Sequence, residues 1–531
     1  MGRPPPPTTA ESFQSTRVVL VWTGVRYTGS ETAMGIAQDP LRNGILSVAT
    51  DRHIVELLVR MRMGVRRKRR DFGFYERLGK TKKPHRITPV ATTLATLLPP
   101  RNDWPRPAAK TRQAASIRGK DATAQLLVKW ILSRWGTPRT ESPDWLMELR
   151  RFSGRIRHRL ATWDASAELA SPETFIKLKT FAKEKGEADE YRGLAVYSVE
   201  DRLVVSLAAR YWRLRTDDLM HSGSVAFRTA VPPKTHHSAV SEILAFRRSL
   251  MKLGLDEIWV SEVDIRGFFD VISIVAARRA VEKLAARLPP ELKPDIRAVG
   301  ILNAFLESYS FNKVGQPQAI ELAKHKKRVG FGIAVPWPEA QLKALGVDTS
   351  TESVGIPQGG ALSCFLANAV LDQADQAVQA VVTAAGQDQH ALYLRYCDDI
   401  ICLATSEGLC RGMMEAYKRA VESLRLPIHP ILEFKTRYVD DAESKNKKTF
   451  WDGKSKAPYR WGPAGQVQWV PWCSFVGYQI RHDGYLRVRP KAWPARITPL
   501  AIVPPATSTI SRAARRLARS TPRGSIPRSN R

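Results

Sequence analysis

The stretch LYLRYCDDIICLA, Leu392–Ala404, constrains the fold more than any other part of this sequence. Two apolar runs with a strand-like pattern flank the adjacent acids Asp398 and Asp399, which predicts a β-hairpin with both carboxylates at its tip. Adjacent carboxylates repel each other and raise each other's pKa unless a cation lies close to them. A divalent metal ion would supply that cation, so the hairpin predicts a functional site.

A second acid has to come from elsewhere in the chain, because Mg²⁺ takes one or two carboxylates together with water and substrate phosphates. Asp264 ends the apolar segment EIWVSEVD and is the clearest supplier. If the two strands lie side by side in one sheet, Asp264 and Asp398 come close together. Such a pair would suit two metal ions about 3.5 to 4 Å apart, the spacing that phosphoryl-transfer sites use.

The net charge of the chain indicates which class of partner it binds. Its 531 residues carry a formal net charge of +32, and such a surface repels itself unless a polyanion neutralises it, so nucleic acid is the first partner to expect. No apolar run approaches the roughly 18 to 20 residues that span a bilayer, so we expect no membrane partner. Five cysteines without a CxxC pair fit a reducing compartment, and the start of the chain has no hydrophobic signal, so a cytoplasmic location is expected.

Residues 1–160 form a separate region in the sequence, and its densest cation run lies between Arg60 and Arg86. Aromatic residues interrupt this run, and cations with interleaved rings are typical of surfaces that bind phosphates and bases. A solvated charged face is the alternative interpretation. The cations at the centre of the run are Arg66, Arg67, Lys68, Arg69 and Arg70.

From about Thr174 to Pro490 the sequence resembles reverse transcriptases, and the resemblance rests on an ordered set of motifs. YCDD at 396–399 is similar to the YxDD box of that family. VDIRGFFD, GIPQGGALSCFLAN, LEFKT and FVGYQI resemble the first, second, fourth and fifth palm motifs, and they occur in family order. YRGLAVYSVEDRLV also resembles the fingers segment of bacterial, group II intron-like members. The first 160 residues share no such motif.

The resemblance implies an α+β right-hand polymerase with a reverse transcriptase palm and fingers, a reduced C-terminal thumb and an extra basic N-terminal region. The expected boundaries are 1–160 for the basic region, 161–255 for the fingers and 256–440 for the palm with its first four motifs. Residues 441–490 would complete the palm and carry the primer grip. The short basic segment 491–531 would serve as a thumb or tail.

The resemblance also implies roles for the acids. Asp264 and Asp398 would be metal ligands, Asp399 a supporting carboxylate, and the backbone carbonyl of Ile265 a further ligand. The expected cofactor is a pair of Mg²⁺ ions, with Mn²⁺ as an alternative. Lys435 corresponds to the family's lysine near the pyrophosphate, where a cation can neutralise charge or protonate the leaving group.

Further residues correspond to the family's nucleotide and primer contacts. Phe269 corresponds to the ring that blocks the sugar 2′ position, although Phe268 could hold that place and Phe269 could be a core residue. Gln358 would pack on the incoming nucleotide, and Gly359 would allow close backbone approach. Arg192 corresponds to the fingers arginine that grips the triphosphate. Phe475 and Gly477, in the fifth motif, would contact nucleic acid.

The function implied is RNA-directed DNA synthesis from a nucleic acid template and primer and dNTPs, with a role in bacterial anti-phage defence favoured by analogy. Three alternatives stay open at this point: a group II intron-like ribonucleoprotein enzyme, template-independent or protein-primed synthesis, and an inactive nucleic-acid-binding protein. A dedicated non-coding RNA and a second subunit, or a second copy of the chain, stay open as partners. Phe269 and Tyr396 disfavour an RNA-dependent RNA polymerase.

Overall fold

The computed structural model describes residues 44–77, 89–117, 121–229, 234–255, 257–386, 390–438 and 450–489. Side chains between 65 and 89 are not among those described. The expected thumb or tail at 491–531 and the side chains of Arg66–Arg70 therefore lie outside the described part.

The helices are α1 (Asp51–Arg77), α2 (Pro89–Leu97), α3 (Ala109–Ile117), α4 (Ala122–Ser133), α5 (Asp144–Ala161), α6 (Val199–Thr216), α7 (His236–Lys252), α8 (Phe268–Val271), α9 (Ile274–Ala286), α10 (Ile296–Glu307), α11 (Gln316–Lys324), α12 (Glu339–Ala344), α13 (Ala361–Ala384) and α14 (Glu407–Ser423). The strands are β1 (Glu173–Thr180), β2 (Ala188–Val196), β3 (Trp259–Asp264), β4 (Gly332–Ala334), β5 (Ala391–Tyr396), β6 (Asp399–Ala404), β7 (Ile431–Leu432), β8 (Ser455–Trp461), β9 (Trp469–Val470), β10 (Trp472–Phe475), β11 (Tyr478–Arg481) and β12 (Leu486–Val488).

The N-terminal helices bury one apolar face each. In α5 the buried side chains recur every three or four residues, which is the spacing of one helix face: Leu146, Leu149, Phe152, Ile156 and Leu160. Helix α4 begins at the side chain of Asp121, which accepts hydrogen bonds from the backbone N–H groups of Thr123 and Ala124. Both helices join the same large core as α6, so this part of the N-terminal region packs directly on the rest of the protein.

The central sheet has the strand order β5-β6-β3-β8-β7, with β9 paired to β8. Strand β3 lies in the middle and is antiparallel to both β6 and β8. All its residues before Asp264 are buried, and apart from Ser261 and Glu262 they are apolar. The sheet therefore presents the end of β3 beside the β5–β6 hairpin.

Two smaller sheets flank the central one. The first has the order β1-β2-β4, with β1 and β2 forming an antiparallel hairpin. The second is the meander β10-β11-β12, whose first turn holds Val476 and Gly477 at positive φ. Of the helices described, none combines the length and the apolar character needed to cross a bilayer.

The long helix α13 buries most of its length against α6, α9 and α14 and begins immediately after the Gly359–Gly360 turn. It therefore connects the loop that contains Gln358 to the core beneath the β5–β6 hairpin. The combination of helices with three separate sheets confirms the mixed α+β class expected from the sequence.

Candidate active site

Three acids converge at one edge of the central sheet. Asp264 on β3 lies directly opposite Asp399 on β6 in the antiparallel register, and residues paired in this way present their side chains on the same face. Asp398 occupies the two-residue turn between Tyr396 and Asp399, which are themselves paired. The sequence-predicted hairpin and its approach to Asp264 are both present.

Burial and mutual repulsion disfavour ionisation of two of these acids. Burial, followed by the charge of Asp264, raises the pKa of Asp398. Burial, followed by the charges of Asp398 and Asp264, raises the pKa of Asp399 to about 7. Because the Asp399 side chain is exposed at the surface, we attribute more of its shift to the two neighbouring carboxylates than to desolvation. The site thus concentrates negative charge that a cation would relieve.

Lys454 is the cation closest to these acids in the described part of the chain, and the sequence analysis did not identify it. Its Nζ lies 2.9 Å from Asp264 Oδ2 and 3.3 Å from His429 Nε2. Burial and the charge of Lys454 lower the pKa of His429 to about 4, which keeps the imidazole neutral at physiological pH. No signal in the sequence marks Lys454, because its approach to Asp264 depends on the pairing of β8 with β3.

Lys435, the lysine expected from the fourth motif, is exposed in the segment after β7. Among the described residues it has no hydrogen-bond or ion-pair partner, in contrast to Lys454. Lys435 therefore forms no ion pair with the three carboxylates in the part of the chain that the structure describes.

Neighbouring segments fix the backbone of Asp264. Its N–H donates to Ser455 Oγ at 3.1 Å, and its carbonyl oxygen accepts from the His429 N–H at 2.9 Å. The next residue, Ile265, forms an isolated antiparallel bridge with Ile428, and the two bonds of that bridge come from the flanking residues. The Ile265 carbonyl is therefore left unused by this bridge, as a metal-ligand role would require.

The donor set fits a hard divalent ion that shares its ligands with a substrate. Within the described ranges, no three carboxylate, imidazole or thiol groups converge closely enough to hold a metal ion by themselves. Mg²⁺ is usually held by one or two carboxylates, with water and substrate phosphates completing its octahedron, rather than by an all-protein cage. Asp264 and Asp398, with the Ile265 carbonyl, match that pattern.

The structure distinguishes the two aromatic candidates for the sugar contact. The Phe268 ring is buried, with 2% of its surface exposed, whereas Phe269 is only partly buried. The Phe269 carbonyl accepts from the Ile356 N–H at 2.8 Å, so the segment after β3 is joined to the loop that precedes Gln358. Phe268 is therefore a core ring, whereas Phe269 packs on the core with part of its surface accessible and has its backbone joined to the loop.

Asp270 is a further residue of this pocket that the sequence analysis missed. Gln358 Nε2 donates to Asp270 Oδ1 at 2.5 Å, and burial raises the pKa of this carboxyl to about 7 against the opposing effects of Gln358 and Arg192. Gly359 has φ +92°, a conformation that side chains with a Cβ rarely adopt, and its missing Cβ faces open space. The hydrogen bond to Asp270 and the glycine at positive φ therefore both help to shape this loop.

The β1–β2 hairpin contributes cations to the same region. Arg192 on β2 is exposed and paired in register with Lys177 on β1. The charges of Arg192 and Lys179 both lower the pKa of buried Asp270, so this basic face of the hairpin lies near that carboxyl. The space between Arg192 and Gln358 is therefore bordered by positive charge on one side.

Of the remaining predicted nucleic-acid contacts, Phe475 and Gly477 lie in the described part of the chain, and the side chains of Arg66–Arg70 do not. Phe475 is buried in the core, with 4% of its surface exposed, so a nucleic-acid contact by this hairpin would be made by the turn at Gly477 and not by the Phe475 ring. In the N-terminal region, three exposed arginines line a cavity of about 630 Å³ beside buried Trp104. They are Arg101, Arg106 and Arg112.

Comparison with solved structures returns several telomerases. Apo telomerase from Candida tropicalis without its C-terminal domain matches at 12% identity and a TM-score of 0.32, covering 71% of this chain and 69% of that chain. Telomerase from Candida albicans in complex with a TWJ fragment of telomeric RNA matches at 12% identity and a TM-score of 0.36, covering 72% of this chain and 57% of that chain. Apo telomerase from Candida tropicalis matches at 10% identity and a TM-score of 0.33, covering 74% of this chain and 64% of that chain. At these scores the likeness supports no inference about what this chain binds.

The family comparison is more direct. No curated protein matches the chain. Residues 182–440 match the family model described as reverse transcriptase (RNA-dependent DNA polymerase), and this range includes β2, the β5–β6 hairpin and all three acids. This confirms the fold and the class of enzyme that the ordered motifs predicted. The chain therefore contains a reverse transcriptase domain, the domain of RNA-directed DNA polymerases, which are nucleotidyltransferases.

Proposed function

We propose that this protein extends a DNA primer on an RNA template by two-metal nucleotidyl transfer. The observation that carries the proposal is the register of β3 and β6, which sets Asp264 opposite Asp399 with Asp398 in the adjoining turn. Asp264 and Asp398 would hold two divalent ions, with Asp399 as a supporting carboxylate. Mg²⁺ is the ion proposed, since the donors are hard oxygens and few, and Mn²⁺ is the alternative.

The reaction needs the primer 3′ oxygen and the nucleotide α-phosphorus to be held in line while pyrophosphate leaves. When bound, two Mg²⁺ ions would stabilise the charge on the attacking and leaving oxygens. The chain's own residues would do the positioning. Gln358, fixed by Asp270, would support the nucleotide, Phe269 would exclude a 2′-hydroxyl, and Arg192 would neutralise the triphosphate.

The division of the chain into working parts is also proposed. Residues 161–255 would act as fingers, 256–440 as the palm, 441–490 as the palm end and primer grip, and 491–531 as a thumb or tail. Residues 1–160 would bind nucleic acid, because the sequence places the run Arg66–Arg70 there and the structure adds the three-arginine cavity near Trp104. A polyanion is the partner that the net charge of +32 favours.

For the biological setting we propose a bacterial enzyme of the group II intron-like, retron or defence-associated kind, acting against phage. The support is the resemblance of YRGLAVYSVEDRLV, residues 191–204, to the fingers segment of such enzymes. Phage plating on cells that carry the wild type or Asp264→Ala tests this role. If the wild type and Asp264→Ala protect cells equally, defence does not depend on polymerisation. If neither protects cells, the defence role is rejected.

Primer extension with purified protein tests the activity. The wild type should incorporate dNTPs on an RNA template with a DNA primer in the presence of Mg²⁺, and Asp264→Ala should not. The matched control is Asp295→Asn, which alters a buried carboxylate at the start of α10, outside the candidate site. Activity in the control and none in Asp264→Ala would support the assignment, whereas extension by Asp264→Ala would reject it. Sequencing the nucleic acid that co-purifies with the protein would identify its template.

A further inference from the structure

The turn of the β5–β6 hairpin, which carries Asp398, has an unusual backbone. Cys397 has φ +62°, in the left-handed region that residues other than glycine rarely occupy. This residue directly precedes Asp398, so its conformation sets the direction of the Asp398 carboxylate. A turn of this kind persists only where surrounding groups hold it.

One buried side chain supplies that support. Arg395 has no exposed surface, and its Nη1 donates to the Cys397 carbonyl at 3.0 Å and to Asn368 Oδ1 at 3.0 Å. Its Nε and Nη2 donate to the two carboxylate oxygens of Asp375 at 2.7 and 2.6 Å, and Nη2 also donates to Ser224 Oγ at 2.8 Å. All five guanidinium N–H donors therefore have an acceptor.

The partners of Arg395 tie the hairpin to the nucleotide loop. Asn368 and Asp375 both lie on α13, the helix that begins directly after Gly360. Asn368 is held in turn by donating to the Ala226 carbonyl at 2.8 Å, and Asp375 accepts from the Tyr393 hydroxyl at 2.6 Å. A rigid helix thus connects the loop of Gln358 to the guanidinium that holds the turn before Asp398.

We propose that Arg395 is a positioning residue for catalysis, which fixes the Cys397 carbonyl and thereby the distance between the acidic turn and the nucleotide loop. The proposal rests on the proposed polymerase function. Lysine cannot replace arginine here, because an ammonium group at the end of a flexible stem cannot satisfy Asp375 in a bidentate manner and reach the carbonyl at the same time. The buried ion pair by itself would not require this arrangement, since apolar replacements of such pairs are often tolerated.

The first test is Arg395→Lys, which keeps a positive charge beside Asp375. We expect the rate of single-nucleotide incorporation at saturating dNTP to fall about tenfold or more, while the dNTP dissociation constant stays within about threefold, because Gln358 and Arg192 are untouched. An incorporation rate within threefold of wild type would overturn the proposal, and so would a loss seen only in nucleotide affinity.

The second test removes the ion pair as a unit in the variant Tyr393→Phe/Asp375→Leu/Arg395→Met. We expect its melting temperature to stay closer to wild type than that of Arg395→Met alone, which leaves Asp375 buried and unpaired. Its incorporation rate should nevertheless remain reduced as in Arg395→Lys. Recovery of both stability and rate would show that Arg395 serves folding only. If the triple variant does not fold, the incorporation rate of Arg395→Lys alone tests the proposal.

The matched control is Arg287→Gln/Asp372→Asn. This ion pair, 2.7 Å long, joins Asp372, which lies on α13 one turn before Asp375, to Arg287, which directly follows α9. No described hydrogen bond joins either residue to the hairpin. Disruption of this ion pair should lower the melting temperature and leave the incorporation rate within twofold of wild type. A tenfold fall in the control would mean that any damage to α13 slows the reaction, and the proposal would be rejected.

Hydrogen exchange in the metal-free, nucleotide-free protein separates this inference from the proposed function. The amides of residues 396–399 should exchange at least tenfold faster in Arg395→Lys than in the wild type, and those of the control pair should not change there. If the wild type proved inactive as a polymerase, this difference in exchange rate would still test whether Arg395 holds the turn at Cys397 in place. Unchanged exchange at the hairpin would overturn the positioning role even in an active enzyme.

Discussion

Replacing Lys454 with methionine tests whether the Lys454 ammonium group competes with a metal ion for Asp264. Lys454 Nζ lies 2.9 Å from Asp264 Oδ2, and a divalent ion bound to Asp264 would compete with this ion pair. Methionine retains most of the apolar stem and removes the charge. The metal-free protein should lose stability, while metal binding should become easier because the competing cation is gone.

The exposure of the pair sets the size of the effect. At 2.9 Å, two unit charges interact by about 1.4 kcal/mol in bulk water and by about 6 kcal/mol at an effective dielectric of 20. The Lys454 side chain is 55% exposed, so the lower figure applies, and side-chain entropy reduces it further to about 0.5 to 1 kcal/mol. This corresponds to about a two- to fivefold change in metal affinity and to a melting temperature lower by about 2 °C or less.

The assay is titration of Mg²⁺ into the nucleotide-free protein, followed by calorimetry and by the shift in melting temperature. Lys454→Met should bind Mg²⁺ about two to five times more tightly than the wild type. Lys435→Met is the control, since Lys435 is a lysine of the same region that does not contact Asp264, and it should leave the affinity unchanged. Unchanged or weaker Mg²⁺ binding in Lys454→Met would refute the competition between Lys454 and the metal.

Three other variants test the remaining parts of the site. Asp398→Ala should reduce nucleotide incorporation to below about one percent of wild type with an unchanged or raised melting temperature, since repulsion is relieved; residual extension above that level would contradict the metal-ligand role. Phe269→Val should raise the use of ribonucleotides relative to deoxynucleotides by about 10- to 150-fold in competition assays, and unchanged selectivity would assign the sugar contact to another residue. Asp270 has a folded-state pKa raised to about 7, so its contribution to stability is present below about pH 4 and is lost as the pH rises through 7. Asp270→Asn should therefore gain about 4 kcal/mol over wild type at pH 8 relative to pH 4 in denaturant unfolding, and a pH-independent difference would contradict the shift.

The sequence by itself determined the features that depend on local pattern. The apolar run ending at Asp264, the hairpin tip at Asp398–Asp399 and the Gly359 turn before a long helix all follow from residue type and spacing over a few positions. Burial of a strand on both faces leaves an apolar run, and a tight turn concentrates polar residues, so these elements can be predicted without knowing their neighbours. The ordered motifs then predicted the reverse transcriptase domain, which the family comparison confirmed.

Only the tertiary structure decided which side chains meet. Lys454 reaches Asp264 because β8 pairs with β3 across some 190 residues of chain, and that register leaves no trace in the sequence around either residue. Phe268 and Phe269 are equivalent in pattern, and packing alone buries the first and leaves the second beside the loop. Arg395 looks like a strand residue beside the acids, but its five hydrogen bonds go to four residues in three separate segments of the chain. Periodicity reports whether a position is buried, whereas the identity of its partner depends on long-range register, which the sequence alone does not specify.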